Sequence, residues 1–210
     1  MRLTEVNYRF IKGNPEKPVL LLLHGTGGNE NSLIPIASEL SPDSTILSIR
    51  GRLIENGMTR FFRHTPDGGF DLEDLAVQIE WLKQTISELA AENDLDVSQL
   101  VVVGYSNGAN VAADIILNQT GYFGSALFFH PMALRKVQTP HRLNDMSSWM
   151  SHGTLDPIVS DENFATLAHT FEQQDADLTR YVQRQSHQIL PSELQADKEW
   201  YNEEFENERN

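Results

Sequence analysis

The apolar run Leu100-Val101-Val102-Val103 leads directly into Gly104-Tyr105-Ser106-Asn107-Gly108, and Ala109-Asn110-Val111-Ala112-Ala113 continues as a helix-like stretch. A serine with glycine two residues away on each side, between a buried strand and a helix, constrains the chain strongly. The turn it implies strains the serine backbone, and only glycine at the flanking positions lets strand and helix pack closely while the hydroxyl stays exposed. With 13 glycines in 210 residues, chance supplies roughly 0.06 such pentapeptides before the strand and helix are required. The segment therefore reads as a nucleophile elbow.

The rest of the chain supplies a sheet for that elbow to sit on. Val6, Tyr8 and Phe10 alternate with polar residues, as in a half-buried edge strand. Pro18-Val19-Leu20-Leu21-Leu22-Leu23 is continuously apolar, as expected of a parallel strand covered on both faces. Further strands are expected at 45–49, 100–103, 126–129, 148–150 and 178–182, which makes about seven. Helical patterns fill the intervals, at 31–40, from Asp71 with its apolar stripe Leu72 to Leu89, and at 107–118, 161–174 and 192–205. Alternating strands and helices predict an α/β fold with a doubly wound, mostly parallel sheet, helices on both faces, and one domain over residues 1–210. Only residues 50–70 and 130–145 are connections long enough to shape a site. Neither is large enough for a cap domain.

Composition removes several chemistries. The absence of cysteine excludes disulfides, thiolate metal sites and a cysteine nucleophile. A net charge of −14, shared by both halves, argues against nucleic acid or anionic membrane surfaces as partners. The N-terminal residues lack the apolar core of a signal peptide, and no run approaches the length of a membrane span, so a cytoplasmic protein is the simplest reading. The oligomeric state stays open, a homodimer being compatible with it.

A serine hydroxyl needs a neutral imidazole to take its proton and a carboxylate to orient that imidazole. In an open α/β sheet, ligands bind beyond the carboxyl ends of the strands. That filter keeps His24, His130, His152 and His187 among the histidines and sets aside His64, His141 and His169. Chain order in such sheets, serine then acid then base, selects His187. The acid is expected at Asp156, in the turn Gly153-Thr154-Leu155-Asp156-Pro157 after the preceding strand. Its competitors are Asp161, read as a helix cap, and Asp145, which precedes its strand. The oxyanion of an acyl-transfer intermediate needs two backbone donors. Asn107 follows the nucleophile, and His24-Gly25-Thr26-Gly27-Gly28 follows the early strand, where Thr26 is chosen over Gly27. Read alone, Gly27-Gly28 suggests a phosphate-binding turn, but the lysine and spacing of a P-loop are missing. No histidine pair at metal-binding helical spacing is present.

The four segments Leu23 to Gly28, Gly104 to Gly108, His152 to Val159 and Ser186-His187-Gln188-Ile189, in this order and at this spacing, resemble the phospholipase/carboxylesterase family of α/β-hydrolases over nearly the whole chain. The resemblance implies the α/β-hydrolase fold without a large lid, catalysis by Ser106, Asp156 and His187, no cofactor, and hydrolysis of short- to medium-chain esters or thioesters. Ser186 stands where many relatives have glycine, and Asn107 where acyl-protein thioesterases usually have glutamine, which favours simple esters. Thioesterase and lysophospholipase activities use the same residues. A non-catalytic binding protein on this fold is the alternative of another class.

Phe61, Phe62, Met132 and Leu134, from the two long connections, are candidates for an acyl pocket, with core packing as the alternative. Arg50, Arg52, Arg60 and Arg63 have Glu55 as the one acid among them. They form either a positive patch for anionic substrates, with Arg60 its first candidate, or surface arginines paired with the many carboxylates elsewhere.

Overall fold

The computed structural model describes residues 6–144 and 146–206; Asp145 lies outside the described residues. Seven strands form one sheet: β1 (Tyr8–Ile11), β2 (Leu20–Leu23), β3 (Ile46–Ile49), and, past a hairpin β4 (Leu53–Glu55) and β5 (Met58–Arg60), β6 (Val101–Tyr105), β7 (Ser125–Phe129), β8 (Ser147–Gly153) and β9 (Asp177–Gln183). Their order is β1-β3-β2-β6-β7-β8-β9, with β1 antiparallel and every other pairing parallel. After β2 the chain builds outward to β3, then returns to β2's other side with β6. Ligands of open α/β sheets lie at such a switch point. The register sets Leu23 beside Gly104, so the loops that leave β2 and β6 emerge side by side.

The apolar run of β2 feeds two cores because successive side chains point to opposite faces. Leu20 and Leu22 pack with Val103, Phe129 and Trp149 beneath helices α1 (Ile34–Leu40) and α5 (Pro191–Phe205), through Ala37, Leu40, Trp200 and Tyr201. Leu21 and Leu23 pack with Val102, Phe128 and Met150 beneath α2 (Leu72–Glu92), α3 (Asn107–Asn118) and α4 (Asp161–Gln173). The stripe Leu75, Ile79, Leu82, Ile86 and Leu89 buries α2 on one side, and Asp71 caps it by accepting the Asp74 amide at 2.9 Å. Among the described residues no helix is long and apolar enough to cross a membrane.

The hairpin was not foreseen. Asn56 and Gly57 have φ of 51° and 77°, and Glu55 pairs with Met58, so the two residues form the left-handed turn that favours Asn-Gly in tight hairpins. Asp161 also differs from expectation. Ser160 caps α4 by accepting the Asn163 amide at 3.2 Å, while Asp161 lies 2.7 Å from His152 Nε2 and draws that histidine out of contention.

Candidate active site

Ser106 stands between β6 and α3 with φ 49° and ψ −115°, a conformation that non-glycine residues rarely adopt. Its amide donates to Phe129 O at 2.9 Å, which fixes the turn against β7. The flanking glycines are sterically required. A Cβ on Gly104 would lie 2.6 Å from Ala109 Cα, and one on Gly108 would lie 2.1 Å from Leu23 O.

Three side chains meet at this turn. His187 Nε2 lies 2.8 Å from Ser106 Oγ, and His187 Nδ1 lies 2.6 Å from Asp156 Oδ2. The Asp156 carboxylate also accepts the Ile158 and Val159 amides on its other oxygen, at 2.8 and 3.0 Å. Burial alone would raise its pKa, but those amides and His187 outweigh it and hold the carboxyl below its ordinary value. With Asp156 ionised, His187 donates through Nδ1 and presents the Nε2 lone pair to the serine. Burial lowers the His187 pKa below the usual histidine value; Asp156 opposes the shift and His130 adds to it. The imidazole is therefore neutral at neutral pH. Tyr105 holds its loop by donating its hydroxyl proton to His187 O at 2.8 Å.

The glycine loop after β2 discriminates between Thr26 and Gly27. Gly27 N donates to Thr59 O of β5 at 2.9 Å and Gly28 N to Gly25 O at 3.0 Å, whereas Thr26 N donates to no group among the described residues. Thr26 and Asn107 both line the cleft that holds Ser106 and His187. The Asn107 amide belongs to the first turn of α3, whose donors have no carbonyl one turn earlier.

That cleft measures about 550 Å³, and its lining includes the apolar Phe70, Met132 and Ile158 and the polar Arg60 and His64. Phe61 and Phe62 do not line it. Both are fully buried in the core beneath α2 and α3, where Phe62 supports Phe70 edge to face at 5.6 Å. The chain folds their rings inward because each buries a large apolar surface, worth about 2–3 kcal/mol against exposure. Leu134 likewise packs against that core. The four arginines are all engaged: Arg50 with Glu30 at 2.5 and 2.9 Å, Arg52 with Gln78 at 2.7 Å and over the Trp81 ring, Arg60 with Glu55 at 3.0 Å, and Arg63 with Asp74 at 3.9 Å. Only Arg60 among them reaches the cleft.

Several contributors were missed in the sequence. Asn107 Oδ1 accepts the Phe61 amide at 2.8 Å and Asn110 Oδ1 accepts the Met132 amide at 2.8 Å, so α3 anchors both long connections to the cleft. His64, set aside as a loop residue, lines it and lies 3.2 Å from Glu55. His24 is structural, its Nε2 accepting the Gly51 amide at 3.0 Å. His130 lies 3.1 Å from the same oxygen of Asp156 that meets His187. Position after β7 kept it in view, and chain order alone set it aside. His130, Asp156 and His187 are the one group of three metal-ligand types gathered among the described residues. Their facing atoms are already joined through the histidine N–H protons, which a cation would have to displace.

The family model described as Phospholipase/Carboxylesterase matches residues 10–203. The Bacillus cereus carboxylesterase is 39% identical and superimposes with a TM-score of 0.90, the match covering 94% of each chain. YahD, solved with malic acid, is 37% identical with a TM-score of 0.90, covering 94% of this chain and 98% of that one. MhqD of Bacillus subtilis (strain 168) is 36% identical over 186 residues, 88% of this chain and 92% of its own. A mostly parallel sheet flanked by helices, shared with these relatives, is the α/β-hydrolase fold, and the chain belongs to the phospholipase/carboxylesterase family.

Proposed function

We infer that this hydrolase cleaves short- to medium-chain carboxylic esters through an acyl-enzyme on Ser106. The observation that carries the reading is the hydrogen-bonded line Ser106 Oγ, His187 Nε2 and Nδ1, Asp156 Oδ2, with separations of 2.8 and 2.6 Å, at a strained turn beside unengaged amides. His187 takes the hydroxyl proton as Ser106 Oγ bonds to the ester carbonyl carbon. The resulting oxyanion is held by the amides of Thr26 and Asn107, the latter strengthened by the positive end of α3. Collapse of the intermediate breaks the ester C–O bond, and the departing alkoxide takes the proton from His187. Water then adds to the acyl-enzyme, giving its proton to the same nitrogen, and the carboxylic acid leaves as Ser106 recovers its hydrogen. Asp156 stays ionised throughout and stabilises the transient imidazolium.

A cleft of about 550 Å³ with apolar walls at Phe70, Met132 and Ile158 suits a small acyl chain, and its partner is a small-molecule ester. The carboxylesterase relative supports the same class. A fluorophosphonate probe tests the assignment: the expected result is one covalent adduct, mapped to Ser106 by peptide mass spectrometry. Absence of an adduct, or an adduct on another serine, overturns it.

A further inference from the structure

His130 is fully buried and its backbone sits in the left-handed region at φ 51°, held there as its amide donates to Ser151 O at 3.2 Å. A histidine pays for that conformation only where its surroundings determine it. Those surroundings are rich in acceptors on both edges of the ring. Nδ1 faces Asp156 Oδ2 at 3.1 Å. Nε2 faces Gln188 O at 3.2 Å and Glu193 Oε1 at 3.4 Å, with the Gln185 side-chain amide also 3.2 Å away and itself donating to Glu193 Oε2 at 2.8 Å.

A neutral imidazole carries a single N–H. In either tautomer it would turn a lone pair toward a buried carboxylate, Asp156 in one case and Glu193 in the other. The Nδ1–H tautomer can accept the Gln185 amide at Nε2, but it leaves that lone pair facing Gln188 O and Glu193 Oε1, a buried oxygen with no hydrogen-bond partner among the described residues, whereas the imidazolium offers a proton to an acceptor on each edge. The charge balance points the same way. The ionisable groups facing the ring are Asp156 from the turn after β8, His187 from the loop after β9, Glu193 from α5 and Tyr105 from β6, with Asp197 behind Glu193. The Asp197 carboxyl is pushed up to about 8 by burial and by Glu193 and Glu39, so it is neutral at neutral pH. Two buried carboxylates then remain, and His187 has to be neutral to act as a base. His130 supplies the compensating cation. Burial opposes its charged form, but Glu193 and then Asp156 outweigh burial and raise its pKa above the ordinary histidine value.

We propose that His130 is a protonated positioning residue for the serine chemistry, gripping Asp156 through Nδ1 and Glu193 through Nε2, and keeping His187 a free base into mildly acidic solution by its like charge. The kinetic part rests on the function inferred above. The ring centroids of His130 and His187 are 5.1 Å apart, close enough for one imidazolium to disfavour a second and lower the His187 pKa. Sharing Asp156 also reduces that carboxylate's pull on His187.

Two readouts test this. With nitrogen-15 histidine, the His130 ring, assigned by its loss in His130→Gln, is expected to show both nitrogens protonated at pH 7.5; a neutral tautomer overturns the proposal. This holds whether or not any ester is turned over, so it stands apart from failure of the hydrolase reading. In kcat/KM for p-nitrophenyl acetate against pH, His130→Gln is expected to move the acid limb upward by about one unit. A lower plateau with an unmoved limb shows a merely structural role and overturns it. If that variant does not fold, Glu193→Gln is expected to bring the His130 titration down into the neutral range, and His130 still doubly protonated at pH 9 is the contradicting result.

Discussion

The side-chain oxygen of Asn107 accepts the backbone amide of Phe61 at 2.8 Å, so the residue beside the nucleophile ties α3 to the connection that carries Arg60 and His64. Its backbone amide and its side chain have separate tasks, and substitution separates them. Asn107→Ala leaves a buried N–H unpaired and is expected to cost about 1–3 kcal/mol in urea unfolding. Asn107→Asp keeps the acceptor and is expected to cost less. Equal stability of Asn107→Ala and wild type would show that the anchor carries nothing.

The glycines of the elbow should not tolerate a methyl group. A Cβ on Gly108 would meet Leu23 O at 2.1 Å, whereas one on Gly57 would find nothing within 4 Å. Gly57→Ala is strained only by its φ of 77° and is expected to cost about 1 kcal/mol. Gly108→Ala forces β2 and α3 apart and is expected to lose more than about 3 kcal/mol, or to give no folded protein. Comparable denaturant midpoints for the two variants would contradict the close approach.

Asp197 makes stability depend on pH. Its folded-state pKa, about 8, lies above that of an unfolded aspartate, so from about pH 4 to 8 the folded protein holds a proton that the unfolded chain releases. This contribution is fully present below that window and is lost as pH rises through it. Asp197→Asn removes the dependence, and its advantage in urea midpoint over wild type is expected to be greater at pH 8.5 than at pH 6. A gap independent of pH would contradict a protonated carboxyl.

Arg60 lies at the cleft wall, but Glu55 at 3.0 Å already balances its charge. Arg60→Gln is therefore expected to lower kcat/KM for neutral and carboxylate-bearing esters by similar factors. A loss at least tenfold greater for the anionic ester would establish charge recognition.

The seven strands of the sheet could be read from residues because each is an apolar or alternating run, the inner ones buried and the edge strands β1 and β9 partly exposed. The hairpin Leu53–Arg60 is short and half exposed, and Asn56-Gly57 was the one local signal for it. Ser106, Asp156 and His187 were legible because the fold ties them to strand ends in a definite order. Phe61 and Phe62 were harder. Composition marks a phenylalanine as something to bury, but whether it faces core or cleft depends on how the loop is tethered, here by Asn107. The grip of His130 on Asp156 and Glu193 needs three separate segments to converge, and no local pattern encodes that meeting.

If Ser106 forms the bond to substrate, turnover of p-nitrophenyl butyrate by wild type and Ser106→Ala reports it, with thermal unfolding to establish that both are folded. Ser106→Ala is expected to lose roughly 10⁴-fold or more in kcat/KM with an unchanged unfolding transition. A folded Ser106→Ala protein that keeps a tenth or more of wild-type turnover would contradict it.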